Sequence, residues 1–182
     1  MLTCSKIYRD VPLSHRQPRH PGRCSRIHGH SWAITITFAA DELDDNGFII
    51  DFGELHYLAD WIDENLDHAT VLASDDPRLA ELQALADSGL LKLHLVESAS
   101  CEGIARHLFE TFAPMVASQT SGRARVVSIE LHEDSRNSAL YRPDPTQQSS
   151  TETVSEEALA RLSKGHDLGG EQPLGRDEAH AR

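Results

Sequence analysis

The chain has 182 residues, 39% hydrophobic and 25% charged, with a formal net charge of −12. That length suits one compact domain with an appendage, and no apolar run reaches the ~18 residues of a membrane span. The acidic balance argues against a binder of nucleic-acid phosphates. Three cysteines (Cys4, Cys24 and Cys101) are an odd count and too few for a disulfide framework, which points to a reducing cytoplasm. The first ten residues alternate and carry charge, unlike a secretory signal. Eleven histidines against ten aromatic residues point towards metal or acid–base chemistry.

In chain order, Ser5 to Val11 alternates weakly and predicts a strand. Gly29 to Ala40 is β-branched and aromatic with a period near two, the clearest strand of the sequence. Asp44-Asp45-Asn46-Gly47 is a turn signal, and Phe48-Ile49-Ile50 after it predicts a short hairpin return. Asp51 caps a predicted helix running to about Leu66, with Phe52, Leu55, Leu58, Ala59 and Ile62 on one stripe. Between Asp75 and Val96, Pro77 to Ala86 looks helical and Leu90 to Val96 extended. A second main helix is predicted from Ser100 to Ala113, with Ile104, Ala105, Leu108, Phe109 and Phe112 as its apolar face and Pro114 as a stop. Arg123 to Glu133 alternates as a strand, and Ser138 to Arg142 forms a short last one. The main order is strand, strand, two helices, strand, strand, which predicts an α+β domain with both helices on one face of an antiparallel sheet.

Residues 143–182 contain no Phe, Trp or Tyr and carry eight acids against four bases. Such a composition cannot bury enough apolar surface to offset its ordering entropy, so residues 1–142 are read as the domain and 143–182 as a mostly disordered polar tail. Within the tail, Ser155 to Leu162 has the pattern of a helix start.

His28-Gly29-His30 opens the strongest strand. Residues i and i+2 of a strand share a face, so both imidazoles can reach one ion, and Gly29 leaves the opposite face open. His15, just past the preceding strand, is the natural third ligand across the hairpin. Three neutral histidines with a vacant fourth position describe a catalytic zinc site. Cys24 has two readings: a fourth ligand closing a structural zinc site, or a free thiolate base beside the ion. The loop between His15 and His28 carries Arg16, Arg19, Arg23 and Arg26, whereas residues 1–142 hold thirteen bases against twenty-one acids. Arginine clusters of this kind recognise phosphate. Asp67-His68 offers a carboxylate to orient an imidazole. Glu133, at a strand end, can accept two hydrogen bonds from an amidine-like N–H pair of a heterocycle.

Taken in order, Ser14-His15-Arg16, Cys24-x-x-x-His28-Gly29-His30, Ile50-Asp51-Phe52-Gly53-Glu54-Leu55, Leu66-Asp67-His68, Glu102 at a helix start, and Glu133 eight residues before Tyr141 resemble the 6-pyruvoyltetrahydropterin synthase family, including its 6-carboxytetrahydropterin synthase branch. The resemblance covers Lys6 to Arg142. It implies a tunnelling fold (T-fold), in which a four-stranded antiparallel sheet carries two helices on one face and associates into a β-barrel. The expected assembly is a homohexamer, a dimer of trimers with active sites between subunits. It also implies Zn2+ held by His15, His28 and His30, Cys24 as general base, Asp67 and His68 as a proton relay, and Glu133 as the anchor of the pterin ring, with Glu102 retained on the substrate-binding loop. Three residues between Cys24 and His28 look more like the 6-carboxy branch. The expected reaction converts 7,8-dihydroneopterin triphosphate to 6-carboxy-5,6,7,8-tetrahydropterin, acetaldehyde and triphosphate, towards queuosine and other 7-deazaguanines. The alternatives are the pyruvoyl synthase reaction, another pterin substrate, and a non-catalytic zinc-stabilised assembly module. The family's usual Pro-Thr-Ser/Ala-Glu stands here as Ala99-Ser100-Cys101-Glu102.

Overall fold

The computed structural model describes residues 1–144. In chain order they form β1 (Leu2–His15), a 3-10 turn (Arg23–Ser25), β2 (His28–Ala40), a second 3-10 turn (Phe52–Glu54), α1 (His56–Asn65), β3 (Ala69–Ala73), α2 (Leu79–Asp87), β4 (Lys92–Val96), α3 (Cys101–Gln119), β5 (Ala124–His132) and β6 (Ser138–Tyr141). One sheet runs in the order β4-β3-β1-β2-β5-β6. The sheet has six strands rather than the expected four: β1, β2, β5 and β6 pair antiparallel, and β3 and β4 add parallel pairings on the β1 side. The described residues therefore form a mixed six-stranded α+β fold with three α-helices. Of the two, β4 falls within the stretch from Leu90 to Val96 that reads as extended, whereas β3 is hidden because it is buried at all five positions and so lacks the alternation that marks a half-buried strand. With α2 between them, β3 and β4 make a parallel crossover unit.

The long hairpin of β1 and β2 contains one irregularity that decides its chemistry. Pairing slips between Tyr8 and Val11, and Asp10 takes a left-handed backbone, φ 59°. Before the slip the even residues Cys4 and Tyr8 lie against the core, whereas after it Val11, Leu13 and His15 do. One extra residue exchanges the two faces of the strand.

Helices cover one face of the sheet. α3 buries Ile104, Ala105, Leu108, Phe112 and Val116, and α1 buries Leu58 and Ile62, within the same core as Ile34, Ile36, Phe38, Ile129 and Leu131. Each large side chain so buried contributes roughly 1.5–3 kcal/mol relative to exposure. Pro114 does not stop α3, which continues to Gln119. Proline and Glu110, whose carbonyl loses its partner, are both exposed, so water can solvate that carbonyl while Val116 remains buried one turn further. The Asn46-Gly47 turn forms, closed by the Asp44 carboxylate accepting from the N–H groups of Asn46 and Phe48. Its return is not a strand; Ile49 and Ile50 enter the core as loop residues. Asp51 caps as expected, but over the 3-10 turn, and Phe52 is 45% exposed rather than part of the apolar stripe. The tail reading beyond Asp144, with its helix start at Ser155, lies outside the described residues.

Candidate metal centre

The antiparallel register sets His15 opposite His28 and Leu13 opposite His30. His28, His30 and Trp32 alternate onto the helix-covered face, as do Leu13 and His15 beyond the bulge. The three imidazoles consequently extend the core at one end of the sheet, with ring centroids 4.7, 5.6 and 5.2 Å apart. Glu133, two residues beyond Leu131 of β5, brings its Oε1 to 3.1 Å from His15 Nε2 and 3.3 Å from His30 Nε2. One ligand atom from each of His15, His28, His30 and Glu133 lies within 4.8 Å of all the others.

The orientation of the rings is held from outside. His15 Nδ1 lies 2.8 Å from the Ala99 carbonyl, and His28 Nδ1 lies 2.8 Å from the Arg26 carbonyl. A carbonyl only accepts, so Nδ1 carries the proton in both rings and, in the neutral form, Nε2 keeps its lone pair. His15 is 3% exposed, and burial pushes its pKa below the ordinary value, against the opposing pull of the Ala99 hydrogen bond. The Nε2 atoms of His15 and His30 are buried yet lack a hydrogen-bond partner, since their contacts with Glu133 have ion-pair distance without hydrogen-bond geometry. Two orphaned buried nitrogens facing one carboxylate oxygen is an arrangement that a bound cation satisfies. Three imidazoles and a carboxylate suit zinc and other first-row divalent ions. Trp32 stands edge-on to His15 and His30 and anchors its own N–H on the Leu13 carbonyl, 3.2 Å away, forming an apolar wall.

The remaining candidates fall around this centre unevenly. Cys24 lies in the 3-10 turn, half-buried, and is not among the four residues whose ligand atoms converge, His15, His28, His30 and Glu133. Glu133 thus sits among the imidazoles, a place its sequence pattern alone did not disclose. Asp67 and His68 do touch, with His68 Nδ1 donating to Asp67 Oδ2 over 2.6 Å. His68 sits in the left-handed region at φ 57°, with its N–H on the Pro12 carbonyl, and its side chain is 79% exposed. Among the described residues no hydrogen bond or ring contact joins this pair to the histidine trio.

Two of the four loop arginines are already paired with carboxylates. Arg16 is nearly buried and pairs at 2.9 Å with the fully buried carboxylate of Asp76, and Arg19 pairs with Asp75 at 2.7 Å. Both tie the loop to the segment after β3. Arg23 and Arg26 are exposed, with no side-chain partner among the described residues. Glu102 lies exposed in the first turn of α3 and outside the donor group. Gly29 is not demanded by space, since an added Cβ would meet nothing nearer than the Leu13 carbonyl at 3.4 Å. Sequence reasoning missed the Ala99 carbonyl, which no residue type can signal, and the surroundings of Cys101. That thiol donates to the Leu131 carbonyl at 3.2 Å, and burial, with Glu133 and Glu102 nearby, pushes its pKa up to about 12.

Fold and site together define a class, an α+β domain whose helix-covered sheet face ends in a cluster of three histidines and one carboxylate. Residues 6–144 match the family described as 6-pyruvoyl tetrahydropterin synthase, and the chain belongs to that family of enzymes. It is 33% identical over 135 residues to the 6-carboxy-5,6,7,8-tetrahydropterin synthase of Rickettsia conorii, a match covering 73% of this chain and 94% of that protein. The protein of the same name from Aquifex aeolicus is 25% identical over 125 residues, 67% of this chain and 77% of its own. Among solved structures, an uncharacterized protein of Wolinella succinogenes shares the fold with a TM-score of 0.67 at 20% identity, covering 79% of this chain and 98% of that one. The 6-pyruvoyl tetrahydropterin synthase of Caenorhabditis elegans shares it with a TM-score of 0.55 at 15% identity, covering 79% and 96%. No helix among the described residues is long and apolar enough to cross a membrane.

Proposed function

We propose that this chain is a zinc-dependent 6-carboxy-5,6,7,8-tetrahydropterin synthase, converting 7,8-dihydroneopterin triphosphate to the carboxypterin, acetaldehyde and triphosphate in the cytoplasm. The observation that carries the reading is the convergence of three imidazoles, two of them fixed through Nδ1, on the Glu133 carboxylate. Relatives named for that reaction support the choice of product. His15, His28 and His30 would hold the ion, which when bound supplies Lewis-acid polarisation of a substrate oxygen. Cys24, as thiolate, takes a proton from the first side-chain carbon of the substrate. His68, oriented by Asp67, delivers or accepts the second proton; its left-handed backbone is the kind of strain that functional positions retain. Glu133 accepts the paired N–H groups of the pterin ring, Glu102 contributes to substrate binding from the first turn of α3, and exposed Arg23 and Arg26 meet the triphosphate. Because His68 faces solvent in a single chain, the relay is read as completing a site between subunits of a homohexamer.

Incubating zinc-loaded protein with 7,8-dihydroneopterin triphosphate tests the reading. Acetaldehyde equimolar with the carboxypterin supports it; a pyruvoyl product without acetaldehyde moves the chain to the other branch of the family. A second reading, a closed and non-catalytic metal site, is favoured by one observation, the position of Glu133 as a fourth donor. Glu133→Gln separates the two. A pterin anchor predicts retained zinc with KM raised at least about tenfold, whereas a ligand predicts loss of zinc.

A further inference from the structure

His15 is oriented by a backbone carbonyl to which the proposed chemistry gives no role. The carbonyl accepting its Nδ1–H belongs to Ala99, 1% exposed, in the link between β4 and α3. This link is pressed against the first turn of α3 at a single point. A Cβ added to Gly103 would lie 2.3 Å from the Ser98 carbonyl oxygen and 2.6 Å from the Ser98 Cβ, distances no side chain tolerates. The Ser100 hydroxyl accepts the Gly103 N–H at 3.1 Å and closes the link onto the same spot. Gly103 lies in regular helix, where alanine is the better residue, and its φ is not positive. Conformational freedom therefore does not explain the glycine; space does.

We propose that Gly103 is a positioning residue for the histidine centre. Its bare Cα lets Ser98 seat against α3, the seated link delivers the Ala99 carbonyl to His15 Nδ1, and that hydrogen bond selects the tautomer whose Nε2 faces His30 and Glu133. The consequence for metal affinity rests on the metal-centre reading above, while the geometry does not. An alanine there must displace backbone rather than the far end of a flexible side chain, and the displacement falls one residue from the carbonyl that matters.

The test compares the full-length wild type with Gly103→Ala and, as a control, Gly122→Ala, which strains a turn at φ 79° with nothing within 4 Å of the added Cβ. Zinc affinity is read by chelator competition, and the His15 Nδ1–H resonance is read by NMR on metal-free protein. Outer-shell partners of metal ligands typically matter by 10–100-fold in affinity, so Gly103→Ala should weaken zinc by roughly that factor and shift or abolish the resonance, with helical circular dichroism kept. Gly122→Ala should leave both at wild-type values. If Gly103→Ala does not fold, Ser100→Ala loosens the same link more gently and should speed exchange of the His15 Nδ1–H with a smaller loss of affinity. A folded Gly103→Ala with wild-type affinity and an unchanged resonance overturns the proposal, as does an unaltered exchange rate in Ser100→Ala. Should the wild type bind no zinc, the metal reading fails and the metal-free resonance alone decides the role of Gly103.

Discussion

At the residue scale, His28 and His30 were legible because a strand puts i and i+2 on one face, and His15 because a hairpin brings its two ends together. Glu133 was legible as a strand-end acid but not as a neighbour of the imidazoles, since it approaches from β5, about a hundred residues later, and only strand order tells where it arrives. Cys24 is the residue whose two readings make opposite predictions. With Cys24 as the proposed general base, Cys24→Ser should keep its zinc and melting temperature while turnover falls about 10²–10⁴-fold. Metal analysis and a steady-state assay on one preparation check this; loss of zinc together with folding would return the thiol to the ligand set. The arginines show the opposite limit of sequence reading. A run of positive charge was visible, but the partners that neutralise half of it, Asp75 and Asp76, lie some sixty residues away.

Elements were legible where one face is wet. The strands β2 and β5, the capping by Asp51 and the apolar stripe of α3 all follow from alternation or a 3.6-residue period. β3 escaped because burial on both faces erases that signal. The bulge escaped because an extra residue in β1 changes the parity of every inward position after it. Asp10, in the left-handed region, is the residue that permits the change, and aspartate is among the few side chains tolerating it. Asp10→Val should therefore destabilise the protein by about 1–3 kcal/mol in urea titration, whereas Asp10→Gly should be neutral or stabilising. Between β4 and α3, His94 and His107 share a hydrogen bond at 3.0 Å with Trp61 packed against both. Burial lowers both pKa values, reinforced at His94 by His107 and Lys92 and opposed at His107 by Glu110. The unfolded chain then binds more protons than the folded one below about pH 6.5, so stability present above that value is lost as pH falls towards the folded-state pKa values. The double variant His94→Leu/His107→Leu should shrink the stability difference of metal-free protein between about pH 7.5 and 5.5, and His15, shifted in the same direction, should sustain the remainder.

At the scale of the whole molecule, the sheet of the described residues has β4 and β6 as its edge strands, unpaired on their outer sides among those residues, with Leu95 and Leu140 exposed on them. Open edges favour pairing with another chain. Under the proposed homohexamer, light scattering should return six times the mass of one chain, and a monomer at micromolar concentration would argue against shared sites. The α+β class and the one-sided placement of helices could be read from element order, whereas assembly could not, because it depends on surfaces that sequence periodicity does not distinguish. The histidine centre carries a consequence for the timing of synthesis. The residues whose ligand atoms converge are 15, 28, 30 and 133, and the carbonyl aligning the first of them is residue 99. A nascent chain that has released only its first hundred residues already owns all three imidazoles but lacks β5 and the Glu133 that follows it. Under the proposed metal reading the full group therefore assembles only after β5 has been made, and a filled centre reports that residues up to 133 have emerged and that the sheet has closed as far as β5.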